Sequence, residues 1–388
     1  MKHKLIQRTI LYLTQTQELK DFISRAQKHR VLAIDTEFIR EKSYYPKLCL
    51  IQCGTPDEQV AIDPLLIEDL TPLQDVLLDP QIVKVFHASW QDLELIKQEL
   101  SVLPAPIFDT QIAAGFLGHA VQMSYQSLVE SYAQVSLPKT QSLTDWSQRP
   151  LDEQQLIYAL DDVKYLPAIY LEMHEELEKL GRLEWVLPEF RALLDPEHYA
   201  HDPSLAFRKL KRVSNLNRRQ LGLAKCIAAW RELDSQKKNL PRRWILSDEL
   251  VVELAKRAPL NKQELLKIRG LDKLTTKQHA QILSAVAKGL SIPEEELPKQ
   301  KIRYHVAKDE ESILDLMNAY VRYVADKEKI AAQLLATHEE LAKFYLDKCE
   351  SSLNYGWRYE LVGSRLEELL AGKLGLTVMD KQVHLLYK

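Results

Sequence analysis

Four cysteines in 388 residues are too few for a disulfide framework, and no two of them form a C-x-x-C pair. Cys49 and Cys53 fall on one expected strand face while Cys226 and Cys349 are remote, which argues against a zinc site and fits a reducing, cytoplasmic setting. Glycine is scarce too, at 11. Neither G-x-x-x-x-G-K-[ST] nor G-x-G-x-x-G occurs, which counts against a nucleotide triphosphatase and a dinucleotide-binding dehydrogenase. No apolar run approaches the length of a membrane span. The basic start Met1-Lys2-His3-Lys4 is followed by apolar residues broken by Gln7, Arg8 and Thr9, with no small-residue cleavage site, so no secretory signal is expected. Nor does a net charge of −3 announce a nucleic-acid partner by itself. What remains is a soluble globular composition, 46% hydrophobic and 28% charged, with length for two or three domains.

The stretch Val31-Leu32-Ala33-Ile34-Asp35-Thr36-Glu37-Phe38 organises the rest. A continuous apolar run bounded by polar residues predicts a buried strand, and alternation puts Asp35 and Glu37 on one face at its end. Two such carboxylates raise each other's pKa unless a cation neutralises them. Further strands are expected at Leu48–Cys53 and at Gln59–Pro64, completing an antiparallel meander, and at Ile82–Ala88 and Pro106–Asp109. Helices are expected near Gln17–His29, from Ser89 as N-cap with Asp92 in the first turn, and over Thr110–Leu117. Asp92 complements a helix dipole or adds a third carboxylate at the same sheet end. In the helical run Gln155–Leu166, Tyr158 and Asp162 are i, i+4 neighbours, and Asp161 competes with Asp162 on spacing alone. His87 is expected to be structural, closing the fourth strand.

Asp35-x-Glu37, His87-Ala88-x-x-x-Asp92 and Tyr158-x-x-x-Asp162 resemble the three exonuclease motifs of the DEDD superfamily. The sub-type resembled carries tyrosine in the third motif, since the histidine sub-type would place His at the position of Ile157. Tyr44-Tyr45-Pro46-Lys47-Leu48-Cys49-Leu50-Ile51-Gln52, Phe108-Asp109-Thr110-Gln111 and Thr144-Asp145-Trp146-x-x-Arg149-Pro150-Leu151 resemble the ribonuclease D family. The resemblance implies a ribonuclease H-like exonuclease domain with a mixed sheet and two divalent cations, Mg²⁺ or Mn²⁺. It implies Asp35, Glu37, Asp92 and Asp162 as metal ligands, with Tyr158 and Glu37 orienting the attacking water. Oxygen donors suit such hard ions. Register under that resemblance selects Asp162 over Asp161.

Around Asp195–Pro203 composition turns Pro-, His- and Asp-rich, a domain boundary. Beyond it, Arg208, Lys209, Lys211, Arg212, Arg218, Arg219, Lys225, Arg231, Lys237, Lys238, Arg242 and Arg243 face only Glu232 and Asp234. That excess reads as a solvated face or a phosphate-tracking surface, and a nuclease's need for a substrate grip favours the second. Tyr44 and Tyr45 either stack on bases or plug a hairpin edge. Ala229-Trp230-Arg231, Leu240-Pro241 and Leu266-x-Ile268-Arg269-Gly270-Leu271 resemble the helicase-and-ribonuclease-D C-terminal (HRDC) domain, with Trp230 and Trp244 expected in the core. Past an acidic, proline-containing linker at Ser291–Pro298, Ala319-Tyr320 and Leu334–Leu341 echo that domain with a one-residue slip. The expected fold is therefore α/β plus all-α: an exonuclease domain at 1–200, an HRDC-type helical domain at 204–290, and a second, diverged one at 305–388. The expected activity is 3′→5′ trimming of RNA with a free 3′ end, transfer-RNA precursors and other small RNAs, by a cytoplasmic monomer. Two alternatives are a DNA-directed exonuclease and a catalytically silent nucleic-acid-binding scaffold.

Overall fold

Strand-forming runs in the first third of the chain assemble into one sheet. The computed structural model describes residues 10–138, 144–300, 304 and 306–388, so the stretch read for a secretory signal, Met1 to Thr9, lies outside the described residues. The sheet holds β1 (Leu11–Leu13), β2 (Val31–Ile39), β3 (Lys47–Gly54), β4 (Gln59–Ile62), β5 (Val83–Phe86) and β6 (Ile107–Asp109), in the order β1-β4-β3-β2-β5-β6. β3 and β4 pair antiparallel, while β2–β5, β5–β6 and β1–β4 are parallel, so the sheet is mixed. β1, too short to stand out by periodicity, was not expected from sequence; its register on β4 aligns Leu11 with Val60 and Leu13 with Ile62. Helices α1 (Thr16–Ala26), α2 (Leu73–Leu77), α3 (Trp90–Leu100), α4 (Thr110–Phe116), α5 (Tyr125–Ala133), α6 (Glu153–Lys164), α7 (Leu166–Lys179) and α8 (Leu183–Leu193) accompany it. Its core is apolar and sealed, with Leu32, Ile34, Leu50, Ile62, Val85 and Phe86 all 1% exposed or less.

The chain divides into two compact units, one of residues 10–38, 48–198 and 304–388, the other of 39–47 and 199–300. The second unit is helical: α9 (Arg218–Lys238), α10 (Arg242–Ile245), α11 (Asp248–Arg257), α12 (Lys262–Leu266) and α13 (Thr276–Leu290). Leu223, Ile227, Val251, Leu254, Ile282 and Val286 form its core. Capping boxes at Asn217 with Gln220 and at Thr275 with Gln278 start its two long helices. Trp230 packs on this core. Trp244 does not: it is 52% exposed, because the four-residue α10 turns Ile245 inward instead.

The third expected domain is not separate from the first. Its elements, α14 (Glu311–Glu328), α15 (Ala332–Leu335), α16 (His338–Leu346), α17 (Gly356–Arg358) and α18 (Ser364–Leu370), belong to the same unit as the sheet. Arg182, 4% exposed, explains why: its guanidinium donates to the carbonyls of Phe116 (2.8 Å), Lys329 (3.1 Å) and Glu328. Trp185 stacks on Trp357 at 5.0 Å, and Arg358 pairs with Glu189 at 3.0 Å. A hairpin, β7 (Leu374–Met379) with β8 (Gln382–Tyr387), ends the chain where only helix was expected.

The echo between the two helical regions also runs in a single register, without the expected slip. Asn239 and Lys329 both end a long helix in the left-handed conformation, at φ 48° and 49°. Four-residue helices follow each, and then Ser247 and Thr337 cap the next helix through their hydroxyls.

Candidate active site

Asp35 and Glu37 share a face of β2 by alternation. The strand runs on to Ile39, whereas β5 pairs with it only at Val31, Leu32 and Ala33, so the two acids lie on the part of β2 beyond β5. They therefore sit within the strand rather than at its end. α6, started by a capping box of Asp152 and Gln155, delivers Asp162 to them. Carboxylate oxygens of Asp35, Glu37 and Asp162 all come within 4.8 Å of one another. Among the described residues these three, without Asp161, form the acidic group.

Two devices set α6 and its neighbour against the sheet. A Cβ at Gly54 would stand 2.7 Å from the Val163 carbonyl oxygen, so only glycine at the end of β3 lets the helix come this close. Arg149, in the segment leading to α6, forks onto the Asp63 carboxylate at 2.5 and 2.8 Å and donates to the carbonyls of Cys49, Trp146 and Gln148. Tyr12 donates to the same carboxylate.

Asp92 stands outside the group of three. Its carboxylate accepts the Thr36 hydroxyl at 2.5 Å, and it is buried. Asp109 holds the start of its helix: the carboxylate accepts the backbone N–H groups of Ala88 and Ser89 and the Ser89 hydroxyl, besides capping α4 through Gln111 and Ile112. Ser89 thus occupies the N-cap position but spends its hydroxyl on Asp109 rather than on its own helix. Thr36 and Asp109 were not singled out as site residues from sequence. The signal for Asp109 was present in its motif, whereas Thr36 shows only through tertiary contact.

Without a cation this site is electrostatically costly. Burial is the main cause of each shift: Asp35 is pushed up to about 7, Asp162 to about 8 and Glu37 to about 9, with mutual repulsion adding to the last two. Asp92 is likewise raised well above the usual carboxylate range by burial and then by Asp35. Tyr158 hydrogen-bonds Asp162, and burial followed by the Asp162 charge raises its hydroxyl above the ordinary tyrosine value. Half-buried, convergent, oxygen-only donors that repel one another fit a hard divalent cation. His87 is structural as expected: Nε2 meets the Met123 carbonyl at 3.0 Å, Nδ1 meets Thr110 Oγ1 at 2.9 Å, and burial lowers its pKa.

A protein family described as 3′-5′ exonuclease matches residues 10–178, and the HRDC domain family matches 220–286. Ribonuclease D of Bartonella henselae is 36% identical over 384 residues, covering 97% of this chain and 94% of that one. The chain belongs to the ribonuclease D family. Ribonuclease D of Zymomonas mobilis is 37% identical, with 96% of each chain covered. The crystal structure of Escherichia coli RNase D, an exoribonuclease involved in structured RNA processing, superposes with a TM-score of 0.81 at 30% identity, covering 94% of this chain and 99% of that one. As a ribonuclease D, the protein is a 3′→5′ exoribonuclease with an exonuclease domain of mixed sheet followed by a helical HRDC domain. The exonuclease fold and its acidic group imply divalent-metal dependence.

The expected RNA-contacting residues divide in the structure. Tyr44 is 4% exposed, with its hydroxyl donating to Glu232 and accepting from Gln236 and Arg242, so it is a plug and cannot stack on a base. Tyr45 is half-buried, its ring 4.7 Å from that of Tyr44 and 5.6 Å from that of His201. Arg242 is engaged by Glu232 at 2.5 and 2.6 Å and lies over the Tyr44 ring. Arg231 pairs with Asp248, Lys238 with Asp234, and Arg218 and Arg219 donate to carbonyls, so much of the positive run is structural. Arg208, Lys209, Lys211, Arg212 and Arg243 are exposed.

Proposed function

We propose that this ribonuclease D trims extra nucleotides from the 3′ ends of transfer-RNA precursors and other small RNAs, releasing nucleoside 5′-monophosphates. Two divalent cations, Mg²⁺ or Mn²⁺, would be held by Asp35, Glu37, Asp92 and Asp162. The observation that carries the reading is the convergence of Asp35, Glu37 and Asp162 within 4.8 Å, with Tyr158 hydrogen-bonded to Asp162. Bound divalent ions supply charge neutralisation and polarisation of the phosphoryl group at such a site.

The chain's own residues do the rest. The Tyr158 hydroxyl, kept protonated by burial beside Asp162, orients the attacking water as a hydrogen-bond partner. Glu37, on the same strand face as Asp35, helps orient that water. Thr36 holds one side of Asp92 in place, so that carboxylate has one preferred direction. In the helical unit, Arg40, Lys211, Arg242 and Arg243 line a cavity of about 640 Å³ together with Glu41, Asp248 and Glu249. Lys211 and Arg243 supply phosphate contacts at that cavity, and the exposed Arg208, Lys209 and Arg212 supply others on the same unit, with the half-buried Tyr45 as a stacking edge. A cytoplasmic monomer is part of this reading; no helix of the described residues is long and apolar enough to cross a membrane.

The test is a 5′-labelled transfer RNA with a short 3′ extension, followed on a gel with Mg²⁺, Mn²⁺ or chelator beside a matched DNA strand. One-nucleotide ladders on RNA that need metal are expected. Equal trimming of DNA would overturn the RNA assignment, and binding without trimming in any metal would overturn the catalytic one.

A further inference from the structure

Tyr125 opens α5, and its hydroxyl donates to the carbonyl of Asp161 at 2.7 Å, with the backbone N–H of Tyr165 also acting on it. In an unbroken helix that N–H would bond directly to that carbonyl. The hydroxyl therefore sits between the two ends of a helical hydrogen bond, and the helix does break there: α6 stops at Lys164 and α7 restarts at Leu166. A side chain inserted into the ladder is an established cause of a kink. Pro167 removes another rung, having no N–H for the Val163 carbonyl, and that carbonyl lies against Gly54 instead.

Tyr125 is itself anchored. The carbonyl of Met123, two residues before it, meets His87 Nε2 at 3.0 Å and accepts Gln111 Nε2 at 3.0 Å, and the His87 ring lies 5.7 Å from that of Tyr125. The phenol thus transmits the position of the β5 end to the turn of α6 that bears Asp162. The charges of Asp162 and Asp35 both act on it.

We propose that Tyr125 is a positioning residue for the reaction: its hydroxyl fixes the α6 turn that carries Asp162, and through that carboxylate sets how tightly the acidic group holds a divalent ion. This rests on the metal-dependent reading above. The experiment titrates Mn²⁺ into substrate-free wild type, Tyr125→Phe and Tyr132→Phe, followed by electron paramagnetic resonance, with thermal melts and steady-state kinetics in parallel. Tyr132 is a control whose hydroxyl reaches Glu176 at 3.3 Å. Tyr125→Phe is expected to melt within a few degrees of wild type yet bind Mn²⁺ about tenfold more weakly. Its kcat falls and its metal-activation curve moves to higher concentration, with KM for RNA unchanged, whereas Tyr132→Phe matches wild type. A folded Tyr125→Phe with wild-type Mn²⁺ affinity overturns the proposal. Should Tyr125→Phe fail to fold, 4-aminophenylalanine at the same position keeps a donor on the ring. It is expected to hold Mn²⁺ within about twofold of wild type, and a tenfold loss there overturns the proposal. Wild type that binds no Mn²⁺ would instead sink the metal-dependent reading itself.

Discussion

Asp161 and Asp162 are adjacent acids that the spacing from Tyr158 could not separate. Helical geometry separates them, because a residue's face changes by about 100° per position, and only Asp162 joins Asp35 and Glu37. Asp162→Asn should therefore cost about a hundredfold or more in kcat, and Asp161→Asn within about threefold, measured by single-nucleotide release from labelled RNA. A similar loss from both would mean that the acidic group is not the reaction centre. The pH dependence follows from the same three acids. Their folded-state pKa values, about 7, 8 and 9, lie above the ordinary carboxylate range, so the folded metal-free protein binds protons that the unfolded chain releases. That stabilisation is fully present below the ordinary carboxylate pKa and is lost as pH rises through 7 to 9. Divalent ions compete with those protons, so added Mg²⁺ should raise the melting temperature more at pH 8.5 than at pH 6 in differential scanning calorimetry. An equal rise at both pH values would contradict the assignment.

At the scale of elements, the site depends on how closely α6 and α3 are drawn to the sheet. Gly54→Ala would set a methyl group 2.7 Å from a backbone oxygen of Val163, a clash relieved only by moving the helix. The expected cost is about 1–3 kcal/mol in a denaturant melt. A larger kinetic effect, up to about a hundredfold in kcat, follows because misplacement by about 1 Å misaligns reacting groups. A loss of stability with unchanged kcat would show that the helix can shift without carrying Asp162 away. Asp109 plays the matching part for α3. It bonds Ala88, held at φ 63°, and Ser89, and so fixes the turn from which Asp92 projects.

For the whole molecule, Arg182 and the paired tryptophans make the C-terminal helices part of the exonuclease unit. Gly118, at φ 90°, allows a second close approach, since a Cβ there would stand 2.8 Å from the Lys329 carbonyl oxygen. Arg182→Ala leaves the buried carbonyl of Phe116 and the part-buried carbonyls of Glu328 and Lys329 without their donor. It should cost about 2–4 kcal/mol and speed hydrogen exchange in α14 while leaving α9 unchanged. Equal acceleration in both helices would mean that the two helical regions respond as one body.

Local signals determined much of this protein. The strand at Val31, the helix bearing Tyr158 and Asp162, the acids at Asp35, Glu37 and Asp92, and the HRDC-like run after Ser204 were legible because period and short motifs depend on near neighbours. Tertiary structure decided what distant residues do to one another. It turned Tyr44 from a candidate stacking surface into a buried partner of Glu232, and paired Arg242 and Arg231 with acids. It joined residues 304–388 to the exonuclease sheet, and it placed Thr36 on Asp92 and Tyr125 in the last turn of α6. The physical reason is that hydrogen bonds and ion pairs form between groups far apart in the chain, and charge runs or tyrosines carry no local mark of the partner they will meet.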